Sequence, residues 1–297
     1  MTTIERFDIT IGPFTYQARR AGPADGRPVI LLHGVPQTSA CWISQLQALG
    51  DAGYHAVAFT QRGYSPGARI DDVKEFAKDK MMGDVLAVAD ALSFEQFDLV
   101  GHDMGAGLAW GLATAYPDRI RSLTTLSVPH LNAYADAYYR RIPETTPGPD
   151  QYERSEYARK FHGVPRGEIE REFVANDCAR LRTSYAGLPE ESVAEYLEVL
   201  GSAEAMRGVL DAYRNTALFE DRSANGGTGN RLPPITVPTL FIWSDQDIAI
   251  ASAGAYATGD HVDAPYRFVV AEGVNHWIQE KEPELVNREL LAHLAAT

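Results

Sequence analysis

Hydrophobic and polar positions alternate over residues 7–11 and again over 15–19, on either side of Gly12-Pro13, and this predicts a β-hairpin. Residues 28–32 (Pro-Val-Ile-Leu-Leu) form a short continuous apolar run that ends at His33-Gly34. Such a run suits a strand covered on both faces, as in a parallel sheet. Helical spacing follows over 38–49, and a second buried strand over 56–59. Asp71 is placed to cap a long helix reaching about residue 92, ahead of a strand at 97–100. A helix opens at Met104 and stops before Pro117, and 123–128 reads as a further strand.

The pattern then changes. From 130 to 232 the apolar residues keep a helical period with no continuous apolar strand. Pro143, Pro147, Pro149, Pro165 and Pro189 divide the stretch, and a Gly/Asn-rich loop at 223–230 leads out of it. Strand runs resume at 239–243 and 267–270, and a closing helix is expected over 283–294. The alternation implies an α/β fold, a mostly parallel sheet with helices on both faces. The expected division is a core of residues 1–129 and 233–297 carrying an inserted helical cap, 130–232.

Composition narrows the function classes. A 297-residue chain with 45% hydrophobic and 23% charged residues has the make-up of a folded globular protein. Its net charge of −13 argues against a nucleic-acid partner, because binding phosphates requires a basic surface. Cys41 and Cys178 form no metal or redox spacing and are expected to be free, buried thiols. The N-terminus lacks a signal-peptide pattern, and no apolar run reaches the roughly 18 residues of a bilayer span. The expectation is a soluble, cytoplasmic protein without membrane contact.

Chemistry concentrates where strands end. Gly101-His102-Asp103-Met104-Gly105 lies between an apolar strand and a helix. A sharp strand-to-helix turn needs small residues flanking its apex, and it holds the apex side chain out over the helix N-terminus. That side chain is usually Ser; here it is Asp103. At the end of an earlier strand stands His33-Gly34-Val35-Pro36, where the Val35 N–H can pair with that of Met104 as an oxyanion hole. Asp245 and Asp247 follow the strand at 239–243, and His276 follows the one at 267–270. Nucleophile, acid and histidine thus come in that order, each just past the carboxyl end of a strand, where open parallel sheets bind ligands.

These residues resemble the α/β-hydrolase superfamily over about residues 5–295. The His-Gly-x-Pro and Gly-His-Asp-x-Gly motifs resemble epoxide hydrolases and the related dehalogenases. The resemblance implies that Asp103 attacks carbon and that His276 is the base of the second step. It matches the later aspartate, Asp247, to the acid; Asp245 is the alternative. Glu156-Tyr157-Ala158-Arg159-Lys160-Phe161 and Tyr213-Arg214-Asn215 resemble the two lid-tyrosine segments of epoxide hydrolases. Phenols with a pKa near 10 can hydrogen-bond an epoxide oxygen and protonate it as it opens. The other tyrosines of this stretch, Tyr134, Tyr138, Tyr139, Tyr152, Tyr185 and Tyr196, read as packing residues.

The implied function is epoxide hydrolysis to a vicinal diol, without a cofactor or a metal, on a small hydrophobic substrate, by a monomer or homodimer. A haloalkane or haloacid dehalogenase using the same triad is the rival, and a non-catalytic binding protein of this fold a further one. Dehalogenases usually carry Trp or Arg after the nucleophile and often Asn in the His-Gly-x-Pro motif; this chain has Met104 and Val35, which offer no side-chain N–H. Met104 also departs from the Trp common in epoxide hydrolases, and Gln61 stands where related hydrolases usually have Asp. The segment from Gln61 to Pro66 is expected to form a turn in which Arg62 ties loops together. His33 and His102 read as orienting residues. For His130 a pocket or a hinge role, and for Trp42, Trp243 and Trp277 pocket or packing roles, remain open.

Overall fold

The computed structural model describes residues 1–144, 148–216 and 231–297; Pro147 and the expected exit loop at 223–230 lie outside the described residues. The hairpin forms as β1 (Glu5–Ile11) and β2 (Phe14–Ala21), and β3 (Pro28–Leu32) follows. A 3₁₀ turn capped by the Thr38 side chain leads into α1 (Ile43–Asp51), then β4 (His55–Phe59) and α2 (Lys78–Ala91). Next come β5 (Phe97–His102), α3 (Met104–Ala115) and β6 (Ile120–Leu126). The helical stretch contains α4 (Leu131–Tyr139), α5 (Gln151–Arg154), α6 (Glu156–Gly163), α7 (Glu168–Ser184), α8 (Glu190–Leu200) and α9 (Ala203–Arg214). The chain closes with β7 (Thr239–Ser244), α10 (Ser252–Tyr256), β8 (Tyr266–Ala271), α11 (Ile278–Lys281) and α12 (Pro283–Ala295).

Eight strands make one sheet in the order β1-β2-β4-β3-β5-β6-β7-β8. The pairs β1–β2 and β2–β4 are antiparallel, and every pair from β4 to β8 is parallel. The continuous apolar runs have a direct cause. Successive side chains point to opposite faces, so Val29, Leu31, Leu240 and Ile242 pack under α1 and α12. Ile30, Leu32, Phe241 and Trp243 pack instead under α2 and α3. Both layers are sealed: all eight of these side chains are 2% exposed or less. Cutting any one of the aliphatic members back to Ala costs about 2–5 kcal/mol.

Some expectations need correction. The long helix from Asp71 does not form: Ala77 is extended (φ −59°, ψ 141°) and separates a 3₁₀ turn, Val73–Phe76, from α2. Asp72, not Asp71, caps that turn, accepting from the Lys74 N–H, while Asp71 is drawn to Arg166 at 2.7 Å. The strand expected at 123–128 starts earlier and ends at Leu126. Cys41 is buried as expected, but Cys178 is only half-buried, because the chain in α7 breaks there, with Asn176, Asp177 and Cys178 all at positive φ. Arg62 does tie elements together, with paired bonds to Asp84 of α2 at 2.5 and 2.6 Å and one to Glu75 at 3.1 Å.

Candidate active site

Because the strands from β4 to β8 are parallel, their carboxyl ends share one edge, and the polar side chains of interest gather along it. Asp103 occupies the turn between β5 and α3 with φ 51° and ψ −119°, a conformation that L-residues rarely hold. Its neighbours make this possible. A Cβ on Gly105 would collide with the carbonyls of Leu32 and His33, and one on Gly101 would meet the backbone of Gly105. A Cβ on Gly34 would land inside the Asp103 side chain itself. The His-Gly-Val-Pro loop and the Asp103 turn therefore interlock.

Three side chains meet at His276. Its Nε2 lies 3.5 Å from Asp103 Oδ2, and its Nδ1 lies 3.0 and 2.9 Å from Asp247 Oδ1 and Oδ2. Asp103 Oδ1 accepts a 2.8 Å hydrogen bond from the Val35 N–H. Met104 is the first residue of α3, so its N–H is one that a helix start leaves without an intrahelical acceptor. Asp247 Oδ1 also accepts from the N–H groups of Ala249 (2.8 Å) and Ile250 (3.0 Å). Asp245 turns elsewhere, accepting from the Gly273 N–H at 2.7 Å.

The charges follow from burial and proximity. Burial alone would raise the pKa of Asp103, but the bond to His276, the charge on that ring and the Val35 N–H hold it below the ordinary 3.8. Asp247 is likewise held down, against burial, by His276 and its donors. Burial would favour a neutral His276; the two carboxylates override it and raise the ring above its usual 6.5. The free site thus holds an imidazolium between two carboxylates.

Behind the triad, His102 donates from Nε2 to the His276 carbonyl (2.9 Å), and its Nδ1 lies 3.3 Å from Gln279 Nε2. His33 donates from Nδ1 to the Gly34 carbonyl and accepts the Gln61 N–H on Nε2, both at 3.0 Å. Burial depresses both rings to about 4, so they are neutral orienting groups near neutral pH. The open roles divide. Trp277 has its ring 5.0 Å from that of His276 and donates to the Ser184 carbonyl in α7, whereas Trp42 and Trp243 are core. His130 caps α4 and stacks on His261 at 4.8 Å.

Tyr157, in the first turn of α6, and Tyr213, near the end of α9, stand with ring centroids 6.3 Å apart around Phe161. Tyr157 as a residue is 37% exposed, while desolvation is the largest influence on its phenol. Burial first pushes both phenols well above 10, and the Asp103 carboxylate adds to it; Tyr157 raises Tyr213 further, whereas the hydrogen bond with Tyr213 works the other way on Tyr157. An ion pair fixes α9 to α7, Arg214 lying 2.7 Å from Glu170, and within α9 Arg214 also lies 2.9 Å from Asp211.

Several residues here went unnoticed in the sequence. Ser127, directly after β6, donates from Oγ to Asp247 Oδ2 at 2.7 Å. Gln151 of α5 donates to the Ala249 carbonyl and accepts the Ala251 N–H, each at 2.9 Å, and Arg154 donates to the Asp247 carbonyl. The strand-end rule that located Asp103 covers Ser127 as well. For Gln151 the signal was the capping box of Asp150 and Glu153 that starts α5.

Comparison with known proteins identifies the family. The family profile of the alpha/beta hydrolase fold matches residues 27–283. The chain is 27% identical to epoxide hydrolase A of Mycobacterium tuberculosis, over 92% of each chain. It is 30% identical to epoxide hydrolase B of that organism, over 91% of each chain, and 28% identical to the Bacillus subtilis AB hydrolase superfamily protein YfhM, over 94% of each. Among solved structures, an epoxide hydrolase from metagenomes of hot environments superposes with a TM-score of 0.84 at 25% identity, covering 99% of this chain and 100% of its own.

Proposed function

Starting from the premise that this chain belongs to the α/β-hydrolase fold family and is an epoxide-hydrolase-like hydrolase, we propose that it converts an epoxide to a vicinal diol through an ester on Asp103. The observation that carries the reading is a carboxylate, not a hydroxyl, at the apex of the turn, with His276 Nε2 3.5 Å from its Oδ2. Since Oδ1 is held by the Val35 N–H, Oδ2 is the oxygen left to attack.

In the first step Oδ2 bonds to an epoxide carbon and the C–O bond breaks. The departing alkoxide takes a proton from Tyr157 or Tyr213. Ester formation removes the Asp103 charge, one of the two that keep a proton on His276. That proton can then return to the phenolate, through solvent, leaving a neutral imidazole held by Asp247.

In the second step His276 takes a proton from water, and the hydroxide adds to the ester carbonyl of Asp103. The carbonyl oxygen is Oδ1, already on the Val35 N–H, with the Met104 N–H as the second donor of the oxyanion hole. Collapse releases the diol. Of the two water protons, one ends on the diol and one on His276, restoring the free state. Residues 130–232 act as the cap over this edge.

The test is the mass of a trapped intermediate. His276→Gln should still be alkylated by styrene oxide or an aliphatic epoxide, gaining one substrate mass at Asp103. An unmodified mass, with an epoxide that the wild type turns over, would refute the proposal. Halide release from haloacids without diol from epoxides would move the substrate to the dehalogenase class.

A further inference from the structure

We infer that Ser127 is a positioning residue of the triad, its hydroxyl holding Asp247 in the orientation from which it steers His276; this rests on the reading above. The geometry comes first. Ser127 Oγ donates to Asp247 Oδ2 at 2.7 Å and lies 3.1 Å from His276 Nδ1, close enough to accept from that ring N–H as well. One hydroxyl thus touches both members of the acid–base pair. It holds the carboxylate oxygen that Ala249 and Ile250 do not, since both of those donate to Oδ1.

The backbone supplies the second observation. Ser127 sits at φ 69°, and the Val128 N–H reaches back over it to the Leu126 carbonyl at 2.9 Å. That is a γ-turn of the rare strained kind. Glycine adopts this conformation freely; a serine there accepts strain and adds one hydroxyl. Its own N–H donates to the Ile242 carbonyl of β7, so the strained turn is pinned between the strands that precede Ser127 and Asp247.

The surroundings leave the hydroxyl little else to do. Ser127 is fully buried, and among the described residues the charged or titratable groups that sense the Asp247 carboxylate include His276, His102 and Tyr157, with Asp103 on the far side of the His276 ring. Arg154 reaches the main-chain carbonyl of Asp247, not its carboxylate. A donor to an ionised carboxylate lowers its pKa, and Ser127 is among the groups that hold Asp247 down.

Two variants separate the hydroxyl from the strain: Ser127→Ala removes Oγ and keeps Cβ, and Ser127→Gly removes both and relaxes the turn. In both, the carboxyl ¹³C signal of Asp247 in the substrate-free protein should titrate higher by about one pH unit. In single-turnover mixing with an epoxide, ester formation should stay within about two-fold of wild type, while ester hydrolysis slows about ten-fold or more. Wild-type hydrolysis and an unmoved titration in either variant would overturn the inference. Recovery in the glycine variant alone would also overturn it, by making the effect one of backbone strain. If no epoxide alkylates even the wild type, the proposed reaction fails, and the Asp247 titration still decides the role of Ser127.

Discussion

The sheet edge and the helices above it position their side chains by different means. At the edge, Asp103 and Asp247 accept from main-chain N–H groups, that of Val35 and the pair of Ala249 and Ile250, with the Ser127 hydroxyl as a side-chain donor to Asp247, and the two carboxylates in turn hold His276. In the helical stretch, Tyr157 and Tyr213 are held by ring packing around Phe161 and by the side-chain ion pair between α7 and α9. Main-chain donors cannot be substituted away, whereas packed rings can be repacked. In the proposed reaction the edge would then carry the fixed chemistry, and the helices would adapt to substrate shape.

This contrast can be broken or sharpened by experiment. The largest effect is expected at the edge: Asp103→Asn should lower diol formation by about 10⁴-fold or more, with no covalent adduct by mass. Next, the double change Tyr157→Phe and Tyr213→Phe should slow ester formation by about 10²–10⁴-fold. Ester hydrolysis, followed after rapid mixing, should be unaffected, because in the proposed reaction the phenols serve the first step only. An equal loss in both steps would mean that the helices do more than protonate the leaving oxygen.

A smaller effect is expected where the two regions join. Gln151→Leu leaves the Ala249 carbonyl and the Ala251 N–H without their partner, at a cost of about 1–3 kcal/mol, measurable by chemical denaturation. Unchanged stability would show the regions to be independent.

The smallest is a pH effect. The carboxylates of Asp103 and Asp247 have folded pKa values below 3.8, so their contribution to stability is present above about pH 4 and is lost as pH falls through those lowered values. His276 has a folded value above 6.5, so its contribution is complete below pH 6.5 and is lost as pH rises through the raised value. The stability gap between wild type and Asp103→Asn should accordingly narrow at alkaline pH, by on the order of 1 kcal/mol. A gap that is constant with pH would mean that Asp103 and His276 do not share a proton as described.

The same contrast explains what could be read from the chain alone. Strands such as Pro28–Leu32 and Thr239–Ser244 were legible because a strand covered on both faces leaves an apolar run with no polar interruption. That Asp103, Asp247 and His276 would lie near one another could be read from their places after strands of one parallel sheet. Ser127 was not legible, because serine after a strand is commonplace; what sets it apart is a positive φ and one hydrogen bond, neither of which has a sequence signature. The break at Ala77 was hidden for a related reason. Alanine favours helix on its own, and it is extended here because Phe76 is buried in the core while Arg62 holds the Glu75 carbonyl.

The bonds from α5 to the Asp247 loop carry a consequence for motion of the helices. Gln151 and Arg154 together satisfy the carbonyls of Asp247 and Ala249 and the N–H of Ala251. Swinging the helices outward as one piece would strip all three groups at once and free the loop whose Asp247 carboxylate lies 2.9 Å from His276 Nδ1. Helix α5 and the Asp247 loop are therefore expected to move as one piece.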